Sequence, residues 1–140
     1  MDNLKEALKR KGINPSYQRM KIFEYLQGNK SHPTVDMIYK DLSSEIPTLS
    51  KTTIYNTLKL FAEKGMINCL LIEGNELRFD PNTSPHGHFF CVKCGAIYDV
   101  QLDEDCIEKI KKASSNEGHR VSELQITFRG ICKNCLEKLH

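Results

Sequence analysis

Apolar residues recur at helical spacing through the first part of the chain, broken by clear stops, and at strand spacing after residue 66. Residues 2–11 suit a polar helix ended by Gly12. Pro15 and Ser16 open a second helix whose Ile22, Phe23 and Leu26 face inward, ending near Gly28 and Asn29. His32 and Pro33 fall in a loop, and Thr34 caps a third helix carrying Val35, Ile38 and Leu42, which Glu45, Ile46 and Pro47 break. Ser50 is the N-cap of a fourth helix running to about Lys64, with Gly65 as its stop. On it Ile54, Leu58 and Phe61 point inward, leaving Lys51, Thr52, Tyr55, Asn56 and Lys59 on the open side. Strand-like runs Met66–Glu73 and Leu77–Asp80 follow, joined by a Gly74-Asn75 turn. Helices followed by such a hairpin spell a winged helix-turn-helix.

Pro81, Asn82, Thr83, Ser84 and Pro85 form a linker that no period crosses, which divides the chain into domains of 1–82 and 83–140. Beyond it, His86–Cys91 and Ala96–Leu102 read as strands, Asp103–Ser115 as a helix with acids in its first turn, and Arg120–Arg129 as an alternating strand. Lys133–His140 reads as a short helix or tail. The fold class is α+β.

Composition changes the picture only slightly. With 39% apolar and 27% charged residues the chain is globular, and no run is long enough to span a bilayer. The opening MDNLKEALKRKG alternates charge with Leu and lacks a signal peptide's apolar core, so a cytoplasmic location is expected. A net charge of +2 says little about partners, although Lys5, Lys9, Arg10, Lys11, Arg19 and Lys21 crowd the first part.

Six cysteines without an export signal point to metal or thiol chemistry before disulfides. Cys91-Val-Lys-Cys94 and Cys132-Lys-Asn-Cys135 are two CxxC pairs that together offer the four thiolates of a closed tetrahedral zinc site. Disulfides, or a redox centre using one CxxC alone, are the competing readings. Cys69, among Ile67 and Leu71, and Cys106, in line with Ile110 and Ala113, are expected to be small core residues.

His86 and His88 lie two apart on a strand and share a face, whereas Cys91 lies an odd number of residues from each and faces the other way. The two histidines therefore belong to a second site, for which Asp80, Asp99 and the distant His32 are the further candidate ligands. Such a nitrogen and oxygen set suits iron, manganese or zinc. The bland alternative is a pair of surface histidines. His119 and His140 are expected to be solvated. On the fourth helix Lys51, Thr52, Tyr55, Asn56 and Lys59 are the residue types that contact phosphates, thymine methyls and base edges, and a solvated helix face would look much the same.

Tyr17-Gln18-Arg19, His32-Pro33-Thr34 with Ile38-Tyr39, Thr53-Ile54-Tyr55-Asn56-Thr57-Leu58, Arg78-Phe79-Asp80, His86-Gly87-His88 and the two CxxC pairs resemble, in that order, the motifs of the ferric uptake regulator family. The resemblance covers essentially the whole chain. It implies a winged-helix DNA-binding domain and a small C-terminal α/β dimerisation domain with structural zinc at Cys91, Cys94, Cys132 and Cys135. It also implies a homodimeric repressor, not an enzyme, that binds double-stranded, palindromic operator DNA when a regulatory metal is loaded, with Arg19 added to the DNA contacts.

Within the family the chain is most similar to the peroxide-sensing subgroup, which has Asp at the positions of Asp80 and Asp99 and Asn at that of Asn56. That likeness implies regulatory ligands at His32, Asp80, His86, His88 and Asp99, holding Fe2+ or Mn2+ and able to hold Zn2+. It implies that peroxide oxidises His32 or His86. A further metal site found in some iron-uptake regulators places an acid between the two histidines; Gly87 stands there in this chain and Pro85 replaces a common histidine, so that site is expected to be absent. The alternatives are an iron- or zinc-responsive uptake regulator on the same scaffold, a zinc enzyme built on His86 and His88, and a thiol oxidoreductase built on CxxC.

Overall fold

The computed structural model describes residues 2–29, 32–73, 76–84 and 86–139. The chain divides into two compact units, 1–83 and 84–140. In the first, helix α1 (Asp2–Arg10) ends at Gly12, whose φ of +76° is the left-handed conformation that reverses the chain. Helices α2 (Tyr17–Gly28), α3 (Val35–Leu42) and α4 (Lys51–Glu63) each begin at a hydroxyl cap: Ser16 accepts from the Arg19 amide, Thr34 from Met37 and Ser50 from Thr53. Each cap satisfies one orphan N–H and is worth about 1 kcal/mol.

The inward faces of these helices merge into one core. Ile22, Leu26, Ile38, Ile54, Leu58 and Phe61 are wholly buried there. Phe61 meets Phe23 edge to face, with ring centroids 5.5 Å apart. Strands β1 (Asn68–Glu73) and β2 (Glu76–Asp80) pair antiparallel as the wing, and Phe79 anchors the hairpin to the core. The expected Gly74-Asn75 turn lies outside the described residues, as do Pro85 of the linker and His140.

The second unit is a three-stranded sheet in the order β4-β3-β5 with two helices. β3 (Gly87–Cys91) pairs antiparallel with β4 (Ile97–Val100) and parallel with β5 (Thr127–Gly130), and α5 (Glu104–Ser115) connects the two outer strands. Asp103 caps α5 by accepting from the Cys106 amide. α6 (Lys133–Lys138) follows.

Three expectations need correction. The strand read over Arg120–Arg129 is limited to its last residues and Gly130, because the short β3 offers ladder partners only to Thr127–Gly130 and residues 120–126 are irregular. Cys69 is exposed: Leu70 takes the inward place on β1, so its neighbours Cys69 and Leu71 turn outward. Cys106 is only half-buried and Ile110 is exposed, because the face of α5 that turns inward carries Ile107, Lys111 and Ser114.

Candidate metal sites and nucleic-acid interface

The four CxxC cysteines converge in the second unit. Cys91 closes β3, a tight turn whose Gly95 has φ +77° brings Cys94 back, and Cys132 and Cys135 sit at the N-cap and in the first turn of α6. The Cys91 and Cys135 sulfurs are 3.8 Å apart and those of Cys94 and Cys132 are 3.7 Å apart, with all four within 4.8 Å of one another. Zinc–sulfur bonds of about 2.3 Å in a tetrahedron put sulfurs about 3.8 Å apart, whereas a disulfide would need about 2.05 Å. The arrangement fits one zinc ion.

The electrostatics call for a cation. Burial pushes the Cys91 thiol up, but the amides of Cys132, Cys94 and Lys93 outweigh it and bring its pKa down to about 6. The Cys135 amide and the Tyr98 hydroxyl lower Cys132. The hydrogen bond to Cys132, together with burial, pushes Cys135 up to about 12, and the same sulfur with burial raises Tyr98 to about 12. Packed thiolates repel one another, and a dication removes the conflict.

His86 and His88 flank Gly87 at the start of β3, and Asp99 lies opposite His88 on β4. Their ligating atoms form a triangle: His86 Nε2 to His88 Nε2 is 3.1 Å, and Asp99 Oδ1 is 3.5 Å from the first and 3.6 Å from the second. Metal bonds of about 2.1 Å set ligand atoms about 3.0 Å apart at a right angle and about 3.4 Å apart in a tetrahedron, so the triangle fits one face of a coordination shell. His86 Nδ1 lies 2.7 Å from the Ser84 carbonyl, which only accepts. Nδ1 therefore carries the proton, leaving Nε2 of the neutral ring with its lone pair toward the triangle. Gly87 makes room for close packing: a Cβ there would come within 3.3 Å of Leu102 Cδ1 and 3.4 Å of Phe128 Cε2.

In the first unit, His32 Nε2 lies 3.4 Å from Asp80 Oδ2, and both residues are buried. The other oxygen of Asp80 accepts from the Asn82 amide at 2.9 Å, which fixes the carboxylate. His32 has φ +58°, the one positive φ among the described non-glycine residues. Such a conformation costs about 1–3 kcal/mol and persists only where the surroundings enforce it. His119 is exposed at the turn after α5.

On α4 the side chains of Lys51, Thr52, Tyr55, Asn56 and Lys59 are all exposed. Lys51 pairs with Asp36 at 3.0 Å and lies over the Tyr39 ring, so α3 steadies it. The guanidinium of Arg19 donates to the Asn14 carbonyl at 2.8 Å. Arg19 and Asn56 meet in a polar groove of about 400 Å³ between the start of α2 and the flank of α4, which Asn14, Gln18, Thr53 and Thr57 also line. The spacing of Thr53, Asn56 and Thr57 along one side of the helix was the signal for this second face, and sequence reasoning passed over it.

The sequence profile of the Ferric uptake regulator family matches residues 10–129. The chain belongs to that family. The peroxide operon regulator of Bacillus subtilis is 38% identical over 136 residues, covering 95% of this chain and 91% of that protein. Among solved structures, PerR of Streptococcus pyogenes, described in terms of peroxide sensing and gene regulation, is 31% identical with a TM-score of 0.54, over 95% of this chain and 90% of its own. The ferric uptake regulator of Vibrio cholerae is 25% identical with a TM-score of 0.74, over 91% and 98%. These two structural likenesses each extend over nine-tenths or more of the chain.

Proposed function

We propose that the chain is a metal-dependent, DNA-binding transcriptional repressor that senses hydrogen peroxide. The observation that carries this is the donor set, made only of imidazoles and carboxylates: the triangle of His86, His88 and Asp99 in one unit, and the pair of His32 and Asp80 in the other. Similarity to the B. subtilis peroxide operon regulator supports the same reading. The regulatory ion would be Fe2+ or Mn2+, while the cysteine cluster keeps its zinc as a structural element.

Bound ferrous iron would supply the one-electron chemistry that activates peroxide. In the net change one oxygen of hydrogen peroxide joins a ring carbon of His32 or His86, which loses two electrons, and the other oxygen leaves as water. The oxidised ring is a poorer donor, so the ion and then the DNA are released. The Asn82 amide holds Asp80 and the Ser84 carbonyl holds His86, so that each donor atom keeps its place until then.

The unit at 84–140 would form a homodimer. Phe128, Ile131, Leu136 and Leu139 present apolar surface there. A two-fold dimer placing one α4 in each of two half-sites reads a palindromic operator. No helix among the described residues is long and apolar enough to cross a membrane, and the protein would act in the cytoplasm.

The test loads the protein anaerobically with Fe2+, follows binding to a candidate palindromic operator, adds dilute peroxide and maps oxygen by mass spectrometry, with Mn2+ as control. Loss of binding with oxygen on His32 or His86, under iron alone, is expected. Unmodified histidines with binding that tracks one metal would replace the proposal with an iron- or zinc-uptake regulator.

Tyr55→Ala and Asn56→Ala should each weaken operator binding by about 1–3 kcal/mol, roughly 5- to 150-fold, while leaving metal content unchanged. Competition between operator and random duplex checks this; equal losses on both would mean that these side chains do not read bases.

A further inference from the structure

Three consecutive residues of the wing strand β2 meet the loop that carries His32. Arg78 Nη1 donates to the His32 carbonyl at 3.2 Å, the Phe79 amide donates to the Pro33 carbonyl at 3.1 Å, and the Asp80 carboxylate lies 3.4 Å from His32 Nε2. Phe79 and Pro33 are fully buried, so the strand and loop are seated in the core.

His32 needs this support more than other loop residues do. Its backbone is left-handed, with φ +58°, and it precedes a proline, which by itself directs the preceding residue to an extended conformation. Two local preferences therefore oppose the observed backbone. The buried Pro33 and the Thr34 cap of α3 fix the chain on one side of it. A change in the His32 backbone angles would move its imidazole relative to the carbonyl that the guanidinium holds.

We propose that Arg78 is a positioning residue for the regulatory ion: by holding the His32 carbonyl it keeps the imidazole aimed at Asp80 before the ion arrives. The inference rests on the assignment of His32 and Asp80 as regulatory ligands. It also makes the ion a tie between the wing and the start of α3, because one ligand ends β2 and the other lies just before the α3 cap. Removal of an outer partner of this kind commonly lowers metal affinity ten- to a hundredfold.

The decisive measurement is Mn2+ affinity of the full chain, by titration against a competing chelator, in a cycle of Arg78→Met, His32→Ala and the double variant. Arg78→Met is expected to lower affinity at least tenfold with zinc content unchanged, and to cost nothing more once His32 is alanine. After iron and peroxide, the Met variant should carry its oxygen on His86 in preference to His32. An Arg78→Met chain that binds Mn2+ within twofold of the parent, or that loses as much affinity in the His32→Ala background, overturns the clamp. If His32→Ala alone leaves Mn2+ affinity unchanged, the ligand assignment falls and the clamp falls with it. Should Arg78→Met aggregate, Arg78→Gln, too short to reach the carbonyl, carries the same cycle with the same expected and overturning results.

Discussion

A chain carrying Cys94→Ser is expected to purify without zinc and with its C-terminal unit unfolded, while the N-terminal unit stays helical. Cys94 is itself exposed, so replacing its sulfur by oxygen removes almost no packing and the effect reports coordination alone. Beyond the cysteines, the buried apolar side chains among the described residues of the unit at 84–140 are Phe90 and Ile107, each worth at most about 1.5–3 kcal/mol. A structural zinc contributes about 10–16 kcal/mol in comparably small metal-folded peptides, more than that core can replace. Elemental analysis and hydrogen exchange of β3 and β4 would read the result, and dimers should be lost with the fold. A zinc-free variant with native protection in those strands would show that the thiols are not what holds this unit.

Phe61→Ala should act on the other unit alone. Phe61 is wholly buried on α4 beside Phe23, at the centre of a core to which all four helices contribute. Emptying that volume costs about 3–5 kcal/mol. For a unit of this length the loss corresponds to a fall in Tm on the order of 15 °C or more. Calorimetry should show the N-terminal transition moving while zinc content holds, and operator binding should weaken in step as α4 loses its seat. A shift of only a few degrees would mean that the cavity collapses at little cost, contrary to the close packing described.

Most of the helical unit could be read from residue types, since hydroxyl caps before periodic apolar runs and glycines after them are local signals. Ser16, Thr34, Ser50 and Gly12 each act through atoms within a few residues. Pairing partners are not local. Alternation gave Arg120–Arg129 two faces but could not say that β3 would be short, so the reading overran the strand. The same limit applies to Cys69 and Cys106, whose apolar neighbours were plain in the sequence while the choice of inward residue, Leu70 or Ile107, depends on how each element is rotated against the rest.

At the candidate metal sites the CxxC spacing was legible because the two cysteines of each pair lie close in sequence, while the sharing of one ion by both pairs is set by the fold. The alternation at residues 86 and 88 rightly separated these histidines from Cys91, yet nothing in it tells that Ser84 would set the His86 tautomer or that Arg78 would reach the carbonyl of residue 32. Left-handed backbone at a histidine before proline is a conformation no propensity rule would assign. Only the surrounding side chains account for it.

Gly87 bears on redesign. Adding a ligand between the two histidines would mean a carboxylate at this position, facing the other side of the strand from them, and its first carbon would already press on the Leu102 and Phe128 side chains. The new charge would enter at a buried point of the strand, against hydrocarbon instead of water, unless those two residues were trimmed as well. Anyone grafting an extra ion site onto this scaffold would thus be editing the sheet's packing before its coordination chemistry, and single-residue libraries at 87 should return mostly small, uncharged side chains.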